Sequence, residues 1–161
     1  MLFAHLDAFL ADTVRAICFK CPEVLKCDKK MDWAQIIACG SWETVLDRLV
    51  EEYVFAFGWP GLTKRVEHMK ERIGLELEVP EEELQEIRGA ELIRDVIVHN
   101  GGQVSQEYLN RSGRTDVAVG DGIDVGGEEL RKVSGAMRRL AEGIAKATAK
   151  KFFEKEEPFW L

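Results

Sequence analysis

The chain has 161 residues, of which 46% are hydrophobic and 32% charged, and its net charge is −7 at pH 7. This length and balance predict a single domain with a core of its own and exclude a wholly disordered chain. The negative charge disfavours a protein that coats nucleic acid with its whole surface, and no apolar run is long enough to span a bilayer.

Helical periodicity dominates the chain from its N terminus onward. Apolar residues at three- and four-residue steps predict long helices over residues 2–20, 41–57, 62–74, 80–99 and from about 127, with short helices at 32–38 and 105–111. Asp32, Ser41 and Ser105 are the expected N-terminal caps. Gly40 and the Asn100-Gly101-Gly102 run are the expected helix ends, because Gly and Asn tolerate the left-handed conformation.

A short stretch before the last helix has a different periodicity. Residues 117–125 alternate apolar with polar or small residues around Gly120-Asp121-Gly122, which predicts a β-hairpin. After Thr148 the apolar stripe of the last helix is broken, so we expect residues 150–161 to fray. The predicted fold is therefore all-α: one domain over residues 1–161, a bundle of about five to six helices with a small β-hairpin insertion before the last helix.

Four cysteines lie in the first quarter of the chain, at Cys18, Cys21, Cys27 and Cys39. Their spacing lacks the two close pairs of a zinc ribbon, and Cys18 falls on the apolar stripe of a helix. Free thiols in or near the core are the favoured interpretation, with zinc binding as the alternative. We predict neither a metal site nor a cofactor.

The end of the helix over residues 80–99 has the clearest chemical signal. On a helical wheel the residues predicted to face the core gather on one side: Ala90, Ile93, Val96 and Ile97. Asp95 and His99 lie on the other side, with Arg94 at their flank. Asp95 precedes His99 by four residues, so its carboxylate can reach the imidazole and hold its tautomer.

An arginine and a histidine together suit cleavage of RNA without a metal. An imidazole can take the proton of the 2′-hydroxyl, and a guanidinium can bind the negative charge of the phosphorane. One copy of the chain offers one suitable histidine, whereas two copies across a two-fold axis would offer both a base and an acid. The alternative is structural, because an arginine and a histidine near a helix end are also typical of solvated or capping residues.

The segment from Glu86 to Ser105, followed by Tyr108-Leu109, resembles the signature segment of the HEPN superfamily. These helical ribonuclease and nucleotide-binding domains are marked by Arg, then Asn, Asp or His, then a few apolar residues, then His. The resemblance implies an all-α homodimer whose motif helices meet, and a metal-independent ribonuclease that leaves a 2′,3′-cyclic phosphate. Carried over, Arg94 would stabilise the scissile phosphate, His99 would be the acid and base, and Asp95 would orient them.

Many members of this superfamily are toxins or antiviral effectors, so an antitoxin or a defence-system protein is an expected partner beside RNA. Members silenced by a nucleotidyltransferase antitoxin carry a Tyr two residues after the His, where Gly101 stands here. The start of the chain lacks the marks of a secretory signal, so we expect a cytoplasmic protein without membrane contact.

Charge is unevenly distributed despite the acidic average. Residues 76–91 hold seven Glu and one Arg, whereas residues 131–155 hold eight Lys or Arg and two Glu. Because basic side chains are the usual footprint of phosphate binding, we predict six RNA-binding residues, with a merely solvated helix face as the alternative. They are Arg88, Asn100, Arg131, Lys132, Arg138 and Arg139.

The leading hypothesis is thus an RNA endonuclease with a site shared across a homodimer. The alternatives are a nuclease-inactive HEPN module that binds nucleotide or RNA, and a helical dimerisation scaffold that tethers a partner.

Overall fold

A computed structural model describes residues 2–26 and 31–154 of the chain. Within these ranges the protein forms seven α-helices, α1 to α7: Leu2–Lys20, Trp33–Cys39, Trp42–Gly58, Leu62–Glu71, Glu81–Asn100, Gln106–Ser112 and Gly127–Phe153. The all-α class is confirmed, with somewhat more helices than the predicted count of about five to six. Across the same residues, none of the helices has both the length and the apolar character needed to cross a bilayer.

Local side-chain bonds explain where several helices begin. Asp32 and Gln35 form a capping box at α2, because the Asp32 carboxylate accepts from the Gln35 N–H and the Gln35 side chain accepts from the Asp32 N–H. Ser41 accepts a hydrogen bond from the N–H of Thr44 at the start of α3. Ser105 caps α6, and each of these three caps was predicted from the sequence.

Contacts between residues divide the chain into two compact units. The first unit comprises Phe3–Leu77 and the residues from Ala141 onward, and the second comprises Glu78–Leu140. The first unit has a core of fully buried apolar side chains from α1, α3, α4 and the end of α7: Leu10, Val14, Ile17, Val50, Val66, Met69 and Ile144. These residues recur at helical spacing, as the sequence predicts.

The last helix continues beyond Thr148, where the sequence pattern predicted fraying. Thr148 and Ala149 are buried, and the ammonium of Lys151 donates hydrogen bonds to the carbonyls of Ile73 and Gly74. These contacts hold the final turns of α7 as far as Phe153. The remainder of the predicted frayed tail, residues 155–161, lies outside the described residues.

One hydrophobic cluster of the second unit lies between α5 and α6 and is formed by Leu92, Ile93, Val96, Val104 and Tyr108. The predicted β-hairpin over residues 117–125 is wrong, because the described ranges contain no β-strand and only an isolated bridge between Gln103 and Gly122. A turn does form, closed by a hydrogen bond from the Asp121 N–H to the Ala118 carbonyl, but the backbone of this segment otherwise bonds to residues 102–104 after α5. Its alternating apolar side chains, Val117, Ile123 and Val125, pack against the cluster.

Candidate functional site

The motif residues lie in the last two turns of α5. Three glutamates begin this helix, where the positive end of the helix dipole favours carboxylates, and Gly101 ends it in the left-handed conformation. Val96 and Ile93 are buried, as predicted. The prediction for Ile97 is wrong, because this side chain is 47% exposed and the buried face of α5 includes Leu92 instead.

His99 and Asp95 line a common cavity of about 200 Å³ between α5 and α6, which we term the small cavity. Asn100 also lines it, together with Tyr108 and Arg111 from α6. The side chain of His99 is exposed, whereas that of Asp95 is half-buried. The structure therefore brings together three of the residues singled out in the sequence and adds Arg111, which the sequence analysis missed.

The carboxylate of Asp95 bridges two guanidinium groups. Its Oδ1 lies 3.1 Å from Nη2 of Arg94, and its Oδ2 lies 3.8 Å from Nη1 of Arg111. Among the described residues, Asp95 makes no hydrogen bond to His99. Because the contacts of Asp95 are with cations, it positions arginines in this structure, and its orienting role toward the imidazole stays a prediction.

Arg94 lies beside the small cavity and is not one of the residues that line it. Its side chain is 43% exposed, so the guanidinium can reach a ligand at the surface of α5. The helical wheel predicts that Arg94 and His99 flank one groove. In the described residues the groove beside His99 is lined by Arg111 instead.

A second and wider cavity of about 670 Å³, which we term the large cavity, lies along the other end of the same helix pair. Three arginines line it: Arg88 from α5, Arg111 from α6 and Arg114 from the loop that follows. Carboxylates of Glu86, Asp124 and Glu129 lie in the same lining. Arg88, predicted to bind RNA, thus lies in a cavity with two further guanidinium groups.

Arg114 is fixed by its neighbours. Its guanidinium donates two hydrogen bonds to the carboxylate of Asp116 and one of 3.4 Å to the hydroxyl of Tyr108. The hydrogen bonds from Arg114 lower the pKa of Asp116 to about 2, and the same pair raises the pKa of Arg114. Arg114 therefore holds Tyr108 in place between the cavities.

The basic residues of α7 form a separate exposed face. Arg131, Lys132, Arg138 and Arg139 all reach solvent, and in the described part of the chain none of them lines either cavity. Arg139 donates to Glu83 at 2.6 Å, and Lys132 lies 4.0 Å from Glu128. These four residues thus line neither cavity, whereas Arg88 lines the large cavity and Asn100 lines the small one.

The cysteines show how burial controls thiol chemistry. Cys18 is fully buried, which raises the pKa of its thiol to about 11, with a smaller effect from the neighbouring Cys21. Cys21 and Cys39 are half-buried free thiols. Over residues 2–26 and 31–154, no group of three His, Cys, Asp or Glu side chains is arranged to hold a metal ion. Cys27 lies outside these ranges.

The backbone conformation of Gly101, two residues after His99, favours glycine. This residue closes α5 with φ of 60°, a conformation that Gly adopts without strain and that a Tyr adopts at a cost.

Comparison of the chain with protein-family models, with curated proteins and with solved structures gave no match.

Proposed function

We propose that the protein is a metal-independent RNA endonuclease of the HEPN type, with a site at the C-terminal end of α5 that two protomers share. The observation that carries the proposal is the exposed imidazole of His99 in a cavity that it shares with Asp95 and Arg111. Arg94 adds a second guanidinium that reaches solvent on the preceding turn. The resemblance to the HEPN superfamily, many of whose members are toxins or antiviral effectors, supports a role in a toxin–antitoxin or defence system of the cytoplasm.

These groups suit an in-line transfer at phosphorus. His99 of one protomer removes the proton of the 2′-hydroxyl, and the 2′-oxygen forms a bond to phosphorus while the bond to the 5′-oxygen of the next nucleotide breaks. The guanidinium groups bind the negative charge that gathers on the non-bridging oxygens. The second histidine, from the other protomer, protonates the departing 5′-oxygen, and the products are a 2′,3′-cyclic phosphate and a 5′-hydroxyl.

Incubation of purified protein with single-stranded RNA in the presence of EDTA tests the proposal. Cleavage with a cyclic-phosphate end is expected, and Arg94→Ala and His99→Ala should each lower the rate by about 100-fold or more. Arg48→Ala is the matched control, because Arg48 is an exposed arginine whose ion pair with Glu52 lies in the first unit. Cleavage at the parent rate by both motif variants, with their helical circular dichroism intact, would overturn the assignment.

One observation favours a second function, that of a nuclease-inactive module that binds RNA or nucleotide. The carboxylate of Asp95 lies close to both Arg94 and Arg111, so its negative charge weakens the attraction of both guanidinium groups for a phosphate. Saturable, salt-sensitive binding of RNA without any product in the same assay would support this second function.

A further inference from the structure

Arg111 lines both cavities of the second unit. It shares the small cavity with His99 and the large cavity with Arg88, and Leu92 and Tyr108 also belong to both linings. A ligand that extends from one cavity to the other therefore passes Arg111.

The large cavity has the size and the chemistry for a nucleotide. Its volume of about 670 Å³ falls within the range of small-molecule sites and exceeds what a simple anion fills. Guanidinium groups bind phosphate oxygens through paired donors. The carboxylates of Glu86, Asp124 and Glu129 are acceptors for ribose hydroxyls and for the N–H groups of a base. The mixed lining fits a nucleotide better than a bare phosphate.

Two of the three arginines, Arg88 and Arg111, are accessible to a phosphate. The ion pairs of Arg111 are long, at 3.8 Å to Asp95 and 3.5 Å to Glu107, and its side chain is 50% exposed. Arg88 is exposed and makes no ion pair within the described residues. Exposed pairs of this kind contribute little to stability, so a charge-assisted bond to a phosphate can replace them. Arg114, by contrast, is held by Asp116.

We infer that the large cavity binds a neighbour of the cleaved nucleotide in an RNA strand, and that Arg111 contacts the phosphate between this neighbour and the nucleotide beside His99, one phosphate away from the scissile one. This inference rests on the proposed function, because His99 defines which phosphate is cleaved. Arg111 is thus a substrate-binding residue, and Arg88 is the second contact within the large cavity.

Binding of a fluorescent 2′-O-methyl oligonucleotide tests the inference without cleavage, because this strand lacks the attacking hydroxyl. Arg111→Ala and Arg88→Ala should each raise the Kd by about tenfold, the effect of losing a charge-assisted hydrogen bond. Arg111→Lys keeps the charge but loses the paired donors, so it should recover only part of the affinity. Arg48→Ala removes one positive charge from a residue in neither cavity and should leave the Kd within about twofold.

A double variant, Arg131→Ala with Lys132→Ala, separates the large cavity from the basic face of α7. If this double variant loses affinity while Arg88→Ala and Arg111→Ala do not, the RNA lies on α7 and the inference is overturned. Absence of saturable binding by the parent protein overturns it as well.

The outcomes for the inference and for the proposed function are distinguishable. If Arg88→Ala and Arg111→Ala lose binding but the parent protein cleaves no RNA, the nucleotide site stands and the nuclease assignment fails. If the parent cleaves RNA and both variants bind and cleave like the parent, the nuclease assignment stands and the nucleotide site is overturned.

Discussion

Arg65 is a buried cation in the first unit. Its side chain is 6% exposed, and its Nη2 lies 2.8 Å from Oδ1 of Asp7, whose side chain is 44% exposed. The Nε of Arg65 is also buried and has no hydrogen-bond partner among the described residues. A guanidinium removed from water in this way depends on its one carboxylate partner, because an uncompensated buried charge is strongly destabilising.

Asp7→Asn should therefore lower the free energy of unfolding by about 2 kcal/mol, less than for a fully buried pair because solvent screens Asp7. Asp12→Asn is the matched control on the same helix, because Asp12 is 75% exposed in its pair with Arg15. Its expected loss is under about 0.5 kcal/mol. Urea denaturation of both variants measures the difference, and equal losses would show that Arg65 does not depend on Asp7.

His68 is a half-buried histidine whose Nε2 lies 2.6 Å from the hydroxyl of Tyr53. Burial lowers the pKa of His68 below its ordinary value of 6.5, and the positive charge of Arg72 lowers it further. His68 lines a pocket of about 150 Å³ together with two cations, Lys64 and Arg65. The folded protein therefore favours the neutral imidazole.

This lowered pKa predicts a loss of stability in weak acid. As the pH falls from about 7, the unfolded chain binds the proton of this histidine before the folded chain does, so the free energy of unfolding decreases until the pH lies below the folded pKa. His68→Gln removes this contribution. Urea titrations of both proteins at steps between about pH 7 and pH 5 should give a difference that shrinks with acidification. Parallel curves would contradict the prediction.

At the scale of elements, the sequence predicted helices and their caps well because both depend on local patterns. It failed for the buried face of α5, which is not one straight stripe. Ile87 and Leu92 are both buried although five residues apart, a separation of about 140° around the axis. Because the buried face shifts around the axis from one turn of α5 to the next, a single helical wheel for the whole helix puts Ile97 on the buried side, which is wrong. Only the packing of α6 against α5 decides which side is covered.

The β-hairpin prediction for residues 117–125 was wrong for a related reason. Alternation of apolar residues indicates an extended chain with one covered face, and Val117, Ile123 and Val125 do cover the α5–α6 cluster. Alternation does not say which backbone is the hydrogen-bonding partner. Here it is residues 102–104, which are distant in the sequence. Arg111 was missed similarly, because it meets Asp95 only through the packing of the two helices.

Alanine substitutions at two glycines, one inside α5 and one at its end, should change the free energy of unfolding in opposite directions. A Cβ at either Gly89 or Gly101 would meet no atom within 4 Å, so backbone conformation alone decides the sign. Gly89 lies inside the helix, and Gly89→Ala should raise the free energy of unfolding by about 0.5 to 1 kcal/mol. Gly101 has a φ of 60°, and Gly101→Ala should lower it by about 1 kcal/mol.

Gly101→Asn supplies the control for this pair, because Asn tolerates the left-handed conformation and should cost less than Ala. Urea denaturation measures all three variants. A loss for Gly101→Asn as large as that for Gly101→Ala would mean that the left-handed end of α5 is not the cause.

At the scale of the whole molecule, the proposed nuclease needs two histidines in one site and each chain supplies one at the motif. Val98, the neighbour of His99 in the chain, is 63% exposed. An exposed apolar side chain beside the proposed catalytic histidine suits a contact between two copies of the chain. We therefore expect the motif ends of two α5 helices to meet around Val98.

A shared site predicts poisoning of the parent enzyme by an inactive protomer. If mixed dimers with His99→Ala are inactive, an equal amount of this variant, equilibrated with the parent protein, should reduce the activity of the parent to about half, because only a quarter of the dimers keep both histidines. The rate of RNA cleavage after mixing measures this effect. Sites confined to one protomer would leave the rate of the added parent protein unchanged.

The same mixing experiment tests which surface joins the protomers. An inactive protein that carries Val98→Asp as well as His99→Ala should fail to poison the parent, because a buried carboxylate opposes the contact. His99→Ala combined with Ile37→Asp, at a 76% exposed residue of the first unit, should poison as before. If Val98→Asp leaves the poisoning intact while Ile37→Asp abolishes it, the protomers meet through the first unit and the motif helices do not form the interface.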